Sequence, residues 1–252
     1  MLHGGERLDE VNENLRLIQK TDGLTFGTDA FLLSAYAPRA PRSRAIELGC
    51  GTGIVALLCA ARGQYAHIDA VEVQPDFAEL ATRNAALNGL EGKITVRCAD
   101  LRELRAVDFG GEADVVLANP PYLRADTGRL NRCNAKSAAR HELYGGIADF
   151  CAAAARLVRW GGHFVCVWRP DRLSDLLAAL RANGFEPKRM TVVHGDAAAS
   201  ASMVLVDARR GGAPALELTA PLLLYRDPPD VAPRVMTAAA ARIYETGSFW
   251  EA

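Results

Sequence analysis

The stretch Asn119-Pro120-Pro121-Tyr122 joins an amide, two prolines and an aromatic ring in a pattern that can hold a planar amine. Two consecutive prolines stiffen the backbone, lack N–H groups and restrict the preceding residue to extended conformations. The carbonyl groups of Asn119 and Pro120 should therefore point in fixed directions, as rigid acceptors for an –NH2 group. Tyr122 can stack on the ring that carries the amine. On its own, however, a Pro-Pro sequence is more often only a turn.

The chain around this stretch alternates between strands and helices from Arg44 onwards. The apolar run 113–118 precedes Asn119, which places the motif at the carboxyl end of a strand, where open α/β sheets bind ligands. The alternation predicts right-handed crossovers and a mostly parallel, doubly wound sheet. The expected strands are 45–48, 67–73, 93–99, 113–118, 163–168, 186–194 and 201–208, and the expected helices are 53–61, 75–88, 147–159 and 171–182.

A glycine loop, Glu47-Leu48-Gly49-Cys50-Gly51-Thr52-Gly53, joins the first of these strands to the first helix. Glycines let the backbone turn sharply and let a ligand approach closely. The dinucleotide fingerprint G-x-G-x-x-G needs a third glycine where this chain has Ile54, which argues against NAD or FAD. Glycines at alternate positions after an acidic residue instead resemble the nucleoside-binding loop of S-adenosylmethionine (SAM) methyltransferases.

Acidic residues follow the next two strands. Glu72 ends the second strand, where a carboxylate can accept hydrogen bonds from both hydroxyls of a ribose. Asp100 ends the third strand, where it can accept from an adenine amino group. Val73 and Leu101 are their neighbours. Either carboxylate alone could be a solvated loop residue. A SAM pocket is predicted because polar residues mark the ends of four successive strands: Glu47, Glu72, Asp100 and Asn119.

The formal net charge of -1 over 252 residues argues against a uniformly basic nucleic-acid binder but allows a local basic patch. The six cysteines form no C-x-x-C pair and no metal-binding spacing, so we expect reduced thiols, no metal and a cytoplasmic protein. The amino terminus has no apolar signal region and no apolar run is long enough for a bilayer, so no membrane contact is expected. The oligomeric state stays open between monomer and homodimer.

A long basic loop follows the Asn-Pro-Pro-Tyr stretch, between residues 123 and 141. Loops of this length are usually functional or disordered. Basic side chains at the mouth of a base-binding pocket suggest contact with RNA phosphates, although a solvated loop would look the same. Lys188 and Arg189 could extend this surface. The basic residues of the loop are Arg124, Arg129, Arg132, Lys136 and Arg140, against one acid, Asp126.

Together these motifs resemble the class I SAM-dependent methyltransferases of the amino-group type, whose signature is Asp/Asn-Pro-Pro-Tyr/Phe. More narrowly, the chain resembles the bacterial enzymes that methylate N6 of the adenine 3′ of the anticodon in valine tRNA. The resemblance covers nearly the whole chain. The flanking segments that narrow it are Glu6-Arg7-Leu8-Asp9, Leu17-Ile18-Gln19, residues 26–33, Ala139-Arg140-His141-Glu142, Arg169-Pro170-Asp171-Arg172-Leu173 and Glu186-Pro187-Lys188-Arg189.

The resemblance implies a Rossmann-like fold: a doubly wound, mostly parallel seven-stranded sheet with a C-terminal antiparallel hairpin. Residues 1–43 would form an extension of short strands and a helix over the SAM site, 44–210 the methyltransferase core, and 211–252 a strand and tail packed on it. The cofactor would be SAM. Its implied contacts are Thr28 and Asp29 at the border, Glu47, Gly49, Cys50, Gly51, Thr52 and Gly53 at the methionine end, Glu72 and Val73 at the ribose, Asp100 and Leu101 at the adenine, and Asn119.

The implied reaction is methyl transfer to the exocyclic N6 amine of an adenine in RNA, with tRNA as the expected partner. Asn119 and Pro120 would each accept one N–H, Pro121 would keep the turn rigid and Tyr122 would stack on the flipped base. No general base is needed, because the proton becomes acidic only as the C–N bond forms.

Other functions use similar residues. Adenine-N6 methylation of ribosomal RNA fits the same pocket. Glutamine-N5 protein methylation uses the same motif, but those enzymes carry a helical domain before the core, for which residues 1–43 are too few. DNA adenine methyltransferases usually carry a target-recognition domain, which we do not expect here. A non-catalytic SAM-fold RNA-binding module would be expected to have a degraded motif, and this one is intact.

Overall fold

One sheet forms the centre of the protein, in a computed structural model that describes residues 2–21, 26–120 and 145–250. Its strands are β3 Ala40–Leu48, β4 Tyr65–Glu72, β5 Ile94–Cys98, β6 Ala113–Ala118, β7 Val158–Trp168, β8 Phe185–His194, β9 Ala201–Arg210, β10 Glu217–Leu218 and β11 Leu222–Leu223. They lie in the order β10-β8-β9-β7-β6-β3-β4-β5, and β11 also pairs with β8. Strands β3 to β7 pair in parallel, whereas β9 is antiparallel to both β7 and β8.

This topology confirms the predicted fold class. The seven expected strands are β3 to β9, and the antiparallel pair β8–β9 is the expected closing hairpin. The apolar run 216–225 adds two short strands, β10 and β11, that extend the sheet beside β8. Among the described residues the sheet therefore has nine strands instead of seven, because β10 and β11 pair with the edge of β8.

Helices cover both faces of the sheet, as a doubly wound fold requires. Successive residues of a strand point to opposite faces, so Ala45 and Ile46 of β3 belong to two separate apolar clusters. Helices α1, α2, α3 and α6 contribute to the first cluster, and α4 and α5 to the second. The helices are α1 Thr28–Tyr36, α2 Ile54–Ala61, α3 Pro75–Leu87, α4 Ile147–Leu157, α5 Leu173–Ala182 and α6 Ala238–Thr246. Within the described residues, none has the length and apolar character to cross a membrane.

The start of β7 differs from the expectation, because Gly161 and Gly162 lie inside the strand instead of before it. The pairing of β7 with β6 shifts register at this point, which is typical of a bulge. A side chain on Gly162 would lie 2.8 Å from the carbonyl oxygen of Asp114 on the neighbouring strand. The glycines thus allow a close backbone approach and do not end the strand.

A hairpin of β1 Glu6–Asn12 and β2 Leu15–Lys20 lies against α3. Asn84 is fully buried; it accepts from Ile18 N at 2.7 Å and donates to Ile18 O at 3.0 Å. Asn88, one turn later, makes the same two bonds to Arg16. Two asparagines four residues apart on a helix thus pair with alternate residues of a strand edge, as another strand would.

The end of the chain packs on α1. Tyr244 of α6 stacks on Phe31 with ring centroids 4.6 Å apart, and its hydroxyl donates to Thr28 Oγ1 at 2.9 Å. Further on, Phe249 meets the ring of Tyr36 edge-on at 4.9 Å. Helix α1 is therefore held between the sheet and the last helix.

Replacing Asn84 with Ala should destabilise the protein by about 2–4 kcal/mol, because the buried N–H and C=O of Ile18 would lose their partners. The measurement is the free energy of unfolding by urea. Asn88→Ala is the matched control, since it removes the same pair of bonds at an exposed position. We expect it to cost less than about 1 kcal/mol. Equal losses in the two variants would contradict the assigned importance of burial.

Candidate active site

The strand register brings three predicted site residues to one row at the carboxyl edge of the sheet. Leu48 of β3 pairs with Val71 of β4 on one side and with Ala118 of β6 on the other. The residues that follow these three are Gly49, Glu72 and Asn119. From β3 the chain continues to β4 and β5 on one side, while β6 and β7 lie on the other. This is the switch point at which doubly wound sheets form their ligand crevice.

The glycine loop turns directly from β3 into α2. Gly53 has φ +83°, which side chains rarely adopt, and a Cβ there would lie 3.2 Å from the Cβ of Ala81 on α3. Cys50 is buried and its N–H donates to Val71 O at 2.9 Å. The carbonyl oxygen of Thr52 accepts from Asn84 Nδ2 at 3.0 Å. The loop is thus held from both sides, by β4 and by α3.

Glu72 lies at the mouth of this loop and is buried. Its Oε2 accepts from Gly51 N at 2.9 Å and its Oε1 accepts from Gln74 N at 2.9 Å. A long bond from Gln74 Nε2 also reaches Oε1, at 3.4 Å, so Oε2 keeps one acceptor position and Oε1 gains one when this weak bond is displaced. These two acceptor positions fit a ribose with two adjacent hydroxyls as donors. Val73 continues from Glu72 into the turn before α3.

Asp100 is partly exposed beyond β5 and is bound by its own loop. Oδ1 of Asp100 accepts from Arg102 N at 2.8 Å and from Arg102 Nε at 2.9 Å. The hydrogen bonds from Arg102 hold the pKa of Asp100 below its ordinary value. Leu101 is buried between them, and its carbonyl accepts from Arg156 at 2.9 Å. An adenine amine would therefore share Asp100 with Arg102.

Glu47 lies inside β3, two residues before the edge row, and is buried. Its Oε2 accepts from Ala56 N at 2.9 Å, in the first turn of α2. The residue before this helix is Gly53, which has no side chain to cap it. The side-chain carboxyl group of Glu47, from the strand before the helix, thus serves as the cap. Burial raises the pKa of Glu47 to about 8, and the charge of Glu72 adds to this effect.

Asn119 follows β6 and meets helix α1. Its Nδ2 donates to Asp29 Oδ2 at 3.1 Å. Its Oδ1 is buried and has no hydrogen-bond partner among the described residues. Pro120 is buried behind it. The other two residues of the motif, Pro121 and Tyr122, lie outside the described residues. An unused acceptor oxygen at the crevice fits the chemistry expected of an amine-binding site.

The remaining predicted residues lie at the border of the site or away from it. Thr28 begins α1 and accepts from Tyr244. Arg189 lies over the ring of Trp250 at 4.3 Å and forms an ion pair with Asp207 at 3.5 Å. Lys188 donates to Ala213 O at 2.9 Å. Their strand, β8, is three positions from β6, or about 14 Å. The basic loop residues Arg124, Arg129, Arg132, Lys136 and Arg140 lie outside the described residues.

Residues that the sequence did not single out hold the site together. Gln74 binds Glu72, Arg102 binds Asp100, and Asn84 joins the glycine loop to the hairpin. Asn84 could have been noticed, because it is a polar residue on the apolar stripe of α3 that contains Ala81 and Ala85. The partnerships of Gln74 and Arg102 depend on turn geometry that residue types alone do not specify.

The family model described as the methyltransferase small domain matches residues 20–177. The chain belongs to this family. The match includes the glycine loop, Glu72, Asp100 and the Asn119 motif. The family and the fold agree with SAM as the expected cofactor, and the carboxylate of Glu72 and the glycine loop fit its nucleoside and its methionine end.

Two curated relatives of this methyltransferase chain have the same name. A tRNA1(Val) (adenine(37)-N6)-methyltransferase of Enterobacter sp. (strain 638) is 36% identical over 152 residues, which are 59% of this chain and 60% of the relative. The protein of the same name from Tolumonas auensis is 30% identical over 80% of this chain and 76% of its own. The chain thus spans about 60% of the first of these relatives and about three quarters of the second.

Solved structures confirm the class I methyltransferase fold. A predicted O-methyltransferase from Agrobacterium tumefaciens has a TM-score of 0.69 at 24% identity and covers 88% of this chain and 98% of its own. TrmN from Thermus thermophilus has a TM-score of 0.51 at 24% identity, over 72% of this chain and 47% of its own. At these identities the similarity concerns the fold alone.

The raised pKa of Glu47 predicts a decline of stability with pH. The folded protein keeps a proton on Glu47 that the unfolded chain releases above its ordinary pKa of 4.5, so this stabilisation is lost as the pH rises towards about 8. Glu47→Gln stays neutral and can still accept from Ala56 N. We expect its free energy of unfolding in urea to exceed that of the parent protein at about pH 9 but not at about pH 5. Parallel pH profiles for the two proteins would contradict the assignment.

Proposed function

We propose that this chain transfers the methyl group of SAM to the exocyclic N6 amine of an adenine in RNA, with tRNA as the substrate class. The observation that carries the proposal is the buried Oδ1 of Asn119, which has no partner among the described residues and lies in the same edge row as Gly49 and Glu72. Asn119 follows β6 at the carboxyl edge of the sheet, the edge at which doubly wound folds bind their ligands.

The cofactor site that we propose runs along this edge from β6 to β5. Glu72 accepts the ribose hydroxyls with the capacity that Gly51 and Gln74 leave on its carboxylate. Gly49 to Gly53 line the methionine end, and Asp100 and Leu101 border the adenine. Thr28 and Asp29 close the site from α1. When bound there, SAM supplies a methyl group already activated by its sulfonium.

The residues of the motif prepare the amine for this transfer. An exocyclic adenine amine is a poor nucleophile, because its lone pair is delocalised into the ring. When Asn119 Oδ1 and the Pro120 carbonyl each accept one N–H, the nitrogen approaches tetrahedral geometry and its lone pair becomes available. Positioning and electrostatics therefore carry the catalysis, and no side chain needs to act as a general base.

The names of the relatives and the basic residues after the motif both support tRNA as the substrate. The curated relatives are named for adenine 37 of tRNA1(Val). The sequence places five basic residues directly after the motif, where the phosphates next to an inserted base would lie. Of the additional basic residues, Arg189 is engaged by Trp250 and Asp207, so we assign phosphate contact to the loop 123–141 first.

The direct test is incubation with radiolabelled SAM and separate samples of unmodified tRNA, ribosomal RNA and protein, followed by nucleoside analysis. We expect label in tRNA, as N6-methyladenosine next to the anticodon. Label in ribosomal RNA alone would change the substrate, and label in protein glutamine alone would defeat the RNA assignment. Tight SAM binding without any transfer would favour a binding module.

Replacing Asn119 with Ala should lower turnover about 100-fold or more, because one of the two acceptors of the amine is removed. SAM affinity, measured by calorimetry, should change less than about threefold, since the acceptor acts on the substrate amine. Asn183→Ala is the control, because Asn183 ends α5 at the opposite edge of the sheet. Unchanged turnover in the Asn119 variant would disprove the assigned role.

A further inference from the structure

Asp29 and Asn119 lie 90 residues apart and meet through one hydrogen bond, from Asn119 Nδ2 to Asp29 Oδ2 at 3.1 Å. A carboxylate only accepts hydrogen bonds, so the –NH2 end of the amide must face Asp29. In a flipped amide, the Asn119 oxygen would lie against the carboxylate and the two would repel. We infer that Asp29 is a positioning residue, which selects the single amide orientation in which Asn119 can accept an N–H of the substrate. The inference rests on the proposed function.

Shape alone does not select this orientation. The oxygen and nitrogen ends of an amide are nearly equal in size, so the hydrogen-bond network decides which end points where. Within the described part of the chain, the Asn119 amide bonds to one side chain, that of Asp29, and its Oδ1 has no partner. With Nδ2 bound to Asp29, Oδ1 is left as the end that can meet an incoming amine. The charge on Asp29 also polarises the amide and makes Oδ1 a stronger acceptor.

Asp29 is itself held at a defined place. It lies in the first turn of α1, where a negative charge is favoured by the helix dipole, and its Oδ1 accepts from Ala30 N at 3.0 Å. A Cβ on Gly27 would lie 2.9 Å from this Oδ1, so a glycine leaves room for the carboxylate. Its other oxygen, Oδ2, accepts from Asn119 Nδ2.

The helix that carries Asp29 is fixed from behind by the end of the chain. Tyr244 donates to Thr28 and stacks on Phe31, one residue before and two residues after Asp29. The hydrogen bond to Asn119 therefore joins α1, which packs against the sheet and α6, to the end of β6. Asp29 can select one orientation of the Asn119 amide only if it is itself held in place.

The competing explanation is that the bond only holds α1 and β6 together. Exchanging the aspartate and the asparagine distinguishes this explanation from a positioning role. Asp29→Asn alone lets the Asn119 amide adopt both orientations, so kcat should fall about tenfold with little change in the KM for SAM. Asn119→Asp alone places two carboxylates together and should be strongly impaired. In the double exchange, the amide of residue 29 donates to residue 119, whose second oxygen is again free to accept.

Single-turnover methylation of unmodified tRNA is to be measured for the two single variants and the double variant. We expect Asp29→Asn to slow the parent protein but to accelerate the Asn119→Asp variant, about fivefold or more, because the effect acts through the pair. Loss by the same factor in both backgrounds, or no effect in either, would overturn the inference. Asp76→Asn is the matched control, since Asp76 occupies the same first-turn position in α3 and is exposed.

Two further readouts keep the outcomes distinct. Thermal unfolding and SAM affinity of each variant show whether a loss of rate reflects misfolding or cofactor loss; a rate loss explained by either counts against the positioning role. If the parent protein methylates no RNA, or if Asn119→Ala is fully active, the proposed function fails first. If the parent protein methylates RNA and Asn119→Ala is impaired, but Asp29→Asn does not change the rate in opposite directions in the two backgrounds, only the role of Asp29 is disproved.

Discussion

The parallel register of β3 with β4 and β6 is the constraint on which the site depends. It brings Gly49, Glu72 and Asn119 to one edge although they are separated by more than twenty residues at each step. A shift of one residue in either pairing would turn the side chains of that strand to the opposite face. The apolar residues that alternate along β3 oppose such a shift, because Ile46 and Leu48 belong to one cluster and Ala45 to the other. The core thus sets the geometry of the site.

Three carboxylates that look alike in the sequence have different environments in the fold. Glu47 is buried and caps α2, Glu72 links the glycine loop to the turn before α3, and Asp100 is bound by Arg102. Burial raises the pKa of Glu47, and hydrogen bonding lowers the pKa of Asp100. Acidic residues near the same sheet edge therefore include a structural cap and two proposed ligand acceptors, and charge alone does not separate these roles.

The two ends of the chain both support the site from outside the central strands. The hairpin β1–β2 is bound to α3 by Asn84, which also holds the glycine loop through Thr52. The last helix packs on α1 through Tyr244, beside the residue that meets Asn119. The proposed methyl transfer depends on accurate positioning of the substrate amine, so the site needs packing and hydrogen bonds that hold its loop and helix in place.

The sequence by itself determined the fold class, the order of strands and helices, the glycine loop and the position of the Asn119 motif after β6. Periodicity, glycines and prolines are local signals, and they specify elements and the turns between them. Only the tertiary structure decided that Asp29 faces Asn119, that Glu47 caps a helix and that Arg189 packs over the ring of Trp250. These contacts join residues from 9 to 90 positions apart, so they follow from how helices pack on the sheet and not from any local pattern.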